Sequence, residues 1–120
     1  MTTRQLELQA NQIREDIVKM LVTAGSGHSA GPLGLADIFT ALYFEIMTHR
    51  PKQPEWIGRD RLFLSNGHCV PVRYAAMARA GYFPVKELAT LRKLGSRLQG
   101  HPERTRLPGP PITNPMPSTW

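Results

Sequence analysis

The sequence predicts a mixed α/β chain that is mostly helical, with one short buried strand and a proline-rich C-terminal tail. Apolar residues recur at three- and four-residue steps in several segments, which is the period of one helical face. Residues 61–64, RLFL, are typical of a short buried strand between a proline-rich loop and a turn. After residue 107 the chain has many prolines and no charged side chain. We therefore expect one domain over residues 1–107 and a disordered tail over residues 108–120.

Four helices are predicted, and glycines mark the ends of two of them. They cover approximately residues 3–23, 34–47, 71–80 and 84–94. Gly25 is expected to cap the first helix, and Gly81 to end the third, which Pro71 begins. Between the first two helices, the segment GSGHSAGPLG has the glycine and proline content of a loop whose backbone other groups can approach closely.

The chain is basic, with a formal charge of +6 from 15 Lys and Arg against 9 Asp and Glu, which favours an anionic partner. The basic residues form no tract of five or more, so we interpret them as a solvated surface rather than a specific nucleic-acid site. They include Arg59, Arg61, Arg73, Arg79, Arg92, Lys93, Arg97, Arg104 and Arg106.

Cys69 is the single cysteine, so no internal disulfide is possible, which fits a reducing compartment. Its position beside His68 could indicate an activated thiol, but we interpret it as a buried small hydrophobe. The first ten residues lack the apolar region of a signal peptide, and no apolar run approaches the ~20 residues of a membrane span. We expect a cytoplasmic protein that does not enter a membrane.

Three of the four histidines follow a glycine directly: His28, His68 and His101. Glycine leaves room for a ligand beside the main chain, and the following residue is then presented at a loop or a helix N-terminus, where free N–H groups attract anions. A histidine adds a donor whose charge changes near neutral pH. Any one such histidine alone is more often a solvated or capping residue. Three of them converging would form a pocket for a diphosphate or a polyol phosphate.

Zinc is an alternative ligand for three histidines, but zinc ligands normally show short local spacing, which is absent here. The fourth histidine, His49, lies near a predicted helix end and is interpreted as a plain residue of the C-terminal turn.

Three segments together resemble consecutive motifs at the N-terminus of transketolases. They are AGSGHSAGPLGLADIFTALYFEIM, RDRLFLSNGHCVPVRYAAMARAGYF and LRKLGSRLQGHPE, in the family's order and with similar separations, over roughly residues 10–109. The resemblance implies a parallel sheet flanked by helices, and a thiamine diphosphate enzyme that moves a two-carbon ketol unit between sugar phosphates, as in the pentose phosphate pathway. It assigns His68 to the cofactor diphosphate. It assigns His28 and His101 to the sugar substrate and to proton transfers at its hydroxyl groups.

The sequence departs from the family pattern in three places. Ser29 and Ala30 stand where the family usually has proline and glycine, and Arg73 replaces an apolar residue on a helix expected to be packed. After residue 109 the family continues into a glycine-rich cofactor loop and a Mg²⁺ site, which do not follow here. The resemblance therefore implies an incomplete thiamine-diphosphate-binding domain, from a truncated or frame-shifted reading frame, that contains no Mg²⁺ ligands.

Such a chain would be inactive in isolation. We expect it to self-associate or to be completed by a C-terminal transketolase chain, because missing strands would leave apolar helix faces exposed. Two other interpretations stay open: a non-enzymatic basic binding module or partner subunit, and a degraded gene product without a stable function.

Overall fold

The computed structural model describes residues 1–27, 29–65 and 67–99, and within them the chain is mostly helical. In chain order the elements are α1 (Thr3–Ala24), α2 (Ala30–Gly34), α3 (Ala36–Ala41), a π-helical turn (Leu42–Ile46), a 3₁₀ turn (Gly67–Cys69), α4 (Val70–Ala80) and a 3₁₀ helix (Val85–Thr90). The predicted tail lies outside the described residues, so its disorder stays a prediction. None of the helices in the described ranges is long and apolar enough to cross a membrane.

Helix α1 agrees with its prediction at both ends. Thr2 and Gln5 form a capping box in which each side chain accepts a hydrogen bond from the other's backbone N–H group. Gly25 has a φ of 76° and donates its N–H to the carbonyl of Leu21 at 2.9 Å, which ends the helix in the left-handed conformation that glycine adopts most easily. The predicted apolar stripe is buried and forms one wall of the core: Ala10, Ile13, Ile17 and Met20.

The glycine-rich segment after α1 is not a loop throughout, because α2 forms within its second half. The N–H of Leu33 bonds to the carbonyl of Ser29 at 3.0 Å. Pro32 is tolerated because the N–H groups of a helix's first turn have no partner within the helix. Ala30 begins this helix, and among the described residues only Arg92 combines a side chain with positive φ. Alanine is therefore compatible with the backbone at position 30.

The predicted helix over residues 34–47 is present as α3 and the π-helical turn. The N–H of Met47 reaches back five residues to the carbonyl of Leu42 at 2.8 Å and closes this wider turn. The buried aromatic side chains Phe39 and Tyr43 face the core from this segment.

The predicted strand over residues 61–64 is not found, nor is any other strand among the described residues. Leu62 and Leu64 are partly or fully buried, whereas Phe63 between them is 56% exposed, so the segment alternates like a strand. A strand also needs a neighbour to complete its hydrogen-bond ladder, and the described part of the chain supplies none. The short apolar run indicated burial correctly but does not determine pairing.

Helix α4 lies at the centre of the fold, because every residue from Val70 to Ala78 is buried. It contacts α1, α3 and the 3₁₀ helix, and such a helix is covered on all sides. It ends at Gly81, as predicted, with a φ of 104°. The predicted fourth helix is present as a shorter 3₁₀ helix, which ends at Thr90 because the next residue, Leu91, has an extended backbone with a ψ of 127°. Arg92 then adopts a left-handed φ of 62°.

The buried charge at Arg73, a departure from the family pattern, has a partner. Arg73 is 1% exposed and hydrogen-bonds the hydroxyl of Tyr43. Burial raises the pKa of Tyr43, and the charge and hydrogen bond of Arg73 offset part of that increase. The guanidinium is therefore accommodated inside the domain rather than through an exit to solvent.

His49 is not the plain turn residue that the sequence predicted. Its Nε2 lies 2.7 Å from the carbonyl oxygen of Tyr43, and its Nδ1 lies 2.6 Å from the hydroxyl of Tyr82. Because a carbonyl only accepts, Nε2–H donates there and Nδ1 accepts from the tyrosine. The ring also stacks on Tyr82, with centroids 5.6 Å apart. His49 thus joins the end of the π-helical turn to the segment after α4.

Candidate functional site

The site is centred on His68, which lies in the 3₁₀ turn Gly67–Cys69 immediately before α4. Its side chain is exposed, in contrast to the buried residues on either side. The side chain of Cys69, the N-cap residue of α4, makes no capping hydrogen bond, and Pro71 in the first turn has no N–H to satisfy. The positive end of the helix dipole therefore makes this end of α4 favourable for an anion beside His68.

A narrow cleft of about 10 Å³ runs beside His68, and its volume suits roughly one water molecule. Its lining consists of Leu21, Gly27, His68, Val70, Pro71, Leu91 and Arg92. Gly27 has a φ of 124°, and a Cβ atom at this position would lie 2.6 Å from Cδ2 of Leu21. The Leu21 side chain could move, but the positive φ strains any residue other than glycine at this position beside the cleft. Two cationic or potentially cationic side chains, His68 and Arg92, are exposed at its rim.

Leu98 and Gln99, which precede the third Gly-His pair, are hydrogen-bonded to α4 and to the rim of the cleft. The hydroxyl of Tyr74 on α4 donates to the carbonyl of Gln99 at 2.7 Å. The N–H of Arg92 donates to the carbonyl of Leu98 at 2.8 Å, which connects this segment to the rim of the cleft. Gly27, the residue before His28, thus lines the cleft. Gln99, two residues before His101, is hydrogen-bonded to α4.

His28 and His101 themselves lie outside the described residues. The convergence of three imidazoles around one ligand, and the zinc alternative that depends on the same three rings, therefore stay predictions. Of the predicted site residues, the structure places only His68.

Cys69 is confirmed as a buried small hydrophobe, and burial raises the pKa of its thiol. Its Sγ packs against Gly31 of α2, where a Cβ atom would lie only 2.5 Å from the sulfur. The glycine thus permits the close approach of α2 to the start of α4, which the glycine-rich composition predicted. This contact keeps the turn that carries His68 against the domain.

The cleft has room for about one water molecule, so a diphosphate would lie over its rim, where the exposed side chains suit an anion better than a metal ion. A diphosphate needs hydrogen-bond donors and positive charge, which the exposed imidazole, the guanidinium and the dipole of α4 provide. Mg²⁺ prefers several oxygen ligands. Over residues 1–27, 29–65 and 67–99, no three His, Cys, Asp or Glu side chains come together in a way that could hold a metal ion.

Arg92 is the residue at this cleft that the sequence did not single out. In the sequence it is one of the scattered basic residues interpreted as a solvated surface. Its place at the cleft depends on the hydrogen bond from its backbone to Leu98 and on its left-handed φ. Both features depend on the tertiary structure, so no local sequence signal could have indicated them.

Comparison with known proteins gives a consistent result. The family model described as "Transketolase, thiamine diphosphate binding domain" matches residues 6–116. The chain is 41% identical over 115 residues to the 6-deoxy-6-sulfo-D-fructose transketolase subunit SqwG of Clostridium sp. (strain MSTE9), covering 94% of this chain and 42% of that subunit. It is 42% identical to the chloroplastic transketolase of Zea mays, covering 93% of this chain and 17% of that protein.

Solved structures agree in fold. The transketolase of Campylobacter jejuni superposes with a TM-score of 0.85 at 39% identity, covering 97% of this chain and 18% of that one. A Pichia stipitis transketolase in complex with sedoheptulose-7-phosphate superposes with a TM-score of 0.83 at 40% identity, covering 88% of this chain and 16% of that one. The chain thus spans less than half the length of these relatives. Because the family model matches most of its length, the chain belongs to the transketolase family, through that family's thiamine diphosphate binding domain.

Proposed function

We propose that this chain contributes the first part of the thiamine diphosphate site in a transketolase-type transferase, which moves a two-carbon ketol unit between sugar phosphates. One observation carries the proposal: His68 is exposed at the N-terminal end of the buried helix α4, in the same cleft as Gly27. The family resemblance assigns this histidine to the cofactor diphosphate. An anion is favoured at this point for purely physical reasons, since charge, helix dipole and close backbone approach coincide there.

The three histidines have different proposed roles. His68 donates a hydrogen bond to a diphosphate oxygen and orients the cofactor. His28 and His101 bind hydroxyl groups of the sugar and move protons at them, a contribution typically worth about 10²–10⁴ in rate. When bound, thiamine diphosphate supplies the nucleophile and the electron sink. The anchoring of Gln99 to Tyr74 supports the role of His101, because it holds the chain two residues before that histidine against α4.

The reaction is proposed for an assembled enzyme rather than for these 120 residues alone. The relative from Clostridium is named as a subunit, which supports a completing C-terminal transketolase chain as partner; a homo-oligomer is the second arrangement. Large apolar side chains exposed on the surface support either arrangement: Val22, Ile46, Ile57 and Phe63. We propose that the Mg²⁺ ligands come from outside the described residues and that this chain by itself is inactive.

Sugar phosphates are the proposed substrates, in keeping with the sedoheptulose-7-phosphate and fructose-6-phosphate complexes of the Pichia stipitis relatives. The cytoplasmic location expected from the sequence stays a prediction. A basic binding module is not favoured, because the family match accounts for the glycine and histidine pattern that charge alone leaves unexplained.

Titration of the full chain with thiamine diphosphate, followed by NMR of the histidine side chains, tests the proposal. We expect the His68 resonances to shift with thiamine diphosphate and not with thiamine, and a dissociation constant of about 1 mM or weaker, since the metal site is incomplete. Backbone amide resonances of α4 are followed in parallel, and His68→Gln should abolish their response. Lys52→Gln, a charge change on the exposed loop after the π-helical turn, is the matched control and should not alter it.

Two outcomes would contradict this proposal. An unchanged affinity in His68→Gln would remove the histidine from the diphosphate site. Submillimolar binding of the cofactor with Mg²⁺ would show that the isolated chain holds a complete site, contrary to the proposed need for a partner.

A further inference from the structure

We infer that Arg92 is a second anion-binding residue at this cleft and contacts the diphosphate together with His68. The inference deepens the proposed function and rests on it. It gives the cofactor site a cation from the segment after the 3₁₀ helix, in the same cleft as the histidine at the start of α4.

The first support is the backbone of Arg92. Its φ of 62° makes it the only residue other than glycine with a positive φ in the described part of the chain. A side chain in this conformation destabilises the fold, and residues held in this way concentrate at functional sites. A glycine would adopt the turn more easily, so an arginine here is best explained by what its side chain does.

The second support is the position and freedom of the guanidinium. Arg92 is exposed and lines the cleft that His68 and Gly27 also line. Within the described ranges its side chain has no ion pair or hydrogen bond. The nearby Arg97 differs, since it makes a two-point contact with Glu87 at 2.6 and 2.9 Å. Arg92 thus keeps its hydrogen-bond donors available for an anion.

The third support is that this position is fixed. The N–H of Arg92 bonds to Leu98, and the adjacent Leu91 is buried in the core. The backbone at residue 92 is therefore held in place by this hydrogen bond and by the burial of Leu91. The Arg92 side chain extends from this fixed position at the rim of the cleft. Lys93, the next residue, instead lines a separate surface depression with Glu87 and Ser96.

The experiment compares Arg92→Gln, Arg92→Lys and Arg92→Gly with Lys93→Gln as the matched control, all in the full chain. Inorganic diphosphate is titrated at low ionic strength with NMR detection, and thermal unfolding is measured for each variant. Arg92→Gln should weaken diphosphate binding about three- to fivefold, as expected for one exposed charged contact, whereas Arg92→Lys retains most of the affinity. Lys93→Gln should bind like the wild type.

Arg92→Gly distinguishes a role of the side chain in binding diphosphate from a role in stabilising the fold. It should lose affinity as Arg92→Gln does, yet raise the midpoint of unfolding by about 2–4 °C, because glycine relieves the left-handed backbone. A residue with only a structural role would not give weaker binding together with higher stability.

The possible failures are distinguishable. If the Arg92 variants bind diphosphate like the wild type while His68→Gln loses affinity, the role of Arg92 is refuted and the proposed function stands. If Lys93→Gln loses as much affinity for diphosphate as Arg92→Gln, the loss reflects the overall positive charge of the chain, and the specific role of Arg92 is also refuted. If the wild-type chain binds neither diphosphate nor thiamine diphosphate, both proposals fail.

Discussion

Replacing Asp16 by asparagine should destabilise the fold strongly, because this carboxylate fastens α1 to α4. Asp16 is 5% exposed, and both of its oxygens are engaged. Nε of Arg79 donates to Oδ2 at 2.7 Å, its terminal nitrogen donates to Oδ1 at 2.9 Å, and the side-chain amide of Gln12 reaches Oδ1 at 3.3 Å. Asparagine keeps the shape, but it removes the charge and turns an NH₂ group toward the donors of the arginine.

The size of the loss in the free energy of unfolding follows from how deeply Asp16 and Arg79 are each buried. Removing one member of a fully buried pair costs about 3–5 kcal/mol. The Arg79 side chain retains 28% of its exposure, so water recovers part of the lost interaction. We therefore expect a loss of about 2–3 kcal/mol in the free energy of unfolding, and a midpoint lower by roughly 10 °C.

Urea unfolding at pH 7, followed by far-ultraviolet circular dichroism, gives this free energy directly. Asp37→Asn is the matched control. Asp37 pairs with Arg14 at the same distance, 2.7 Å, but its side chain is 73% exposed, so its loss should stay below about 0.5 kcal/mol. Arg79→Gln completes a double-mutant cycle with Asp16→Asn. Equal losses for the two asparagine variants, or no coupling in the cycle, would refute the assignment of this stability to a buried pair.

Two further predictions concern groups whose pKa the fold raises. Cys69 should react with a thiol reagent at pH 8 at least about tenfold more slowly in the native chain than in urea, because burial disfavours the thiolate; equal rates would contradict its burial. Burial first, and then the neighbouring Tyr43, raises the pKa of Tyr82 to about 12. The unfolded phenol ionises near pH 10, so the stability that depends on the neutral phenol is complete below that pH and is lost toward pH 12. Because Tyr82 is only half-buried, solvent screening should limit this loss to roughly 1 kcal/mol. Tyr82→Phe should flatten this part of the stability–pH profile, and an unchanged profile would argue against the shift.

Local chemistry predicted the helices well where it acts on neighbouring residues. The apolar stripe of α1 and its glycine cap, and the glycine that ends α4, follow from helical period and backbone freedom, which sequence displays directly. The turn α2 was missed because its glycines suggested a loop, whereas packing against Cys69 stabilises one helical turn there. Residues 61–64 show the opposite error, since a short apolar run predicted a strand there, and this segment has no pairing neighbour in the described part of the chain.

The sequence alone determined the helical periods and the family, because spacing and composition are local and the motifs are specific in combination; it also predicts His68 as a site residue. Tertiary structure alone decided which groups face one another. It brought His68, Gly27 and Arg92 to one cleft, made His49 a bridge between two tyrosines, and paired Asp16 with Arg79 across 63 positions of sequence. These contacts join residues far apart in the chain, and their geometry depends on how helices pack around α4, which no local pattern encodes.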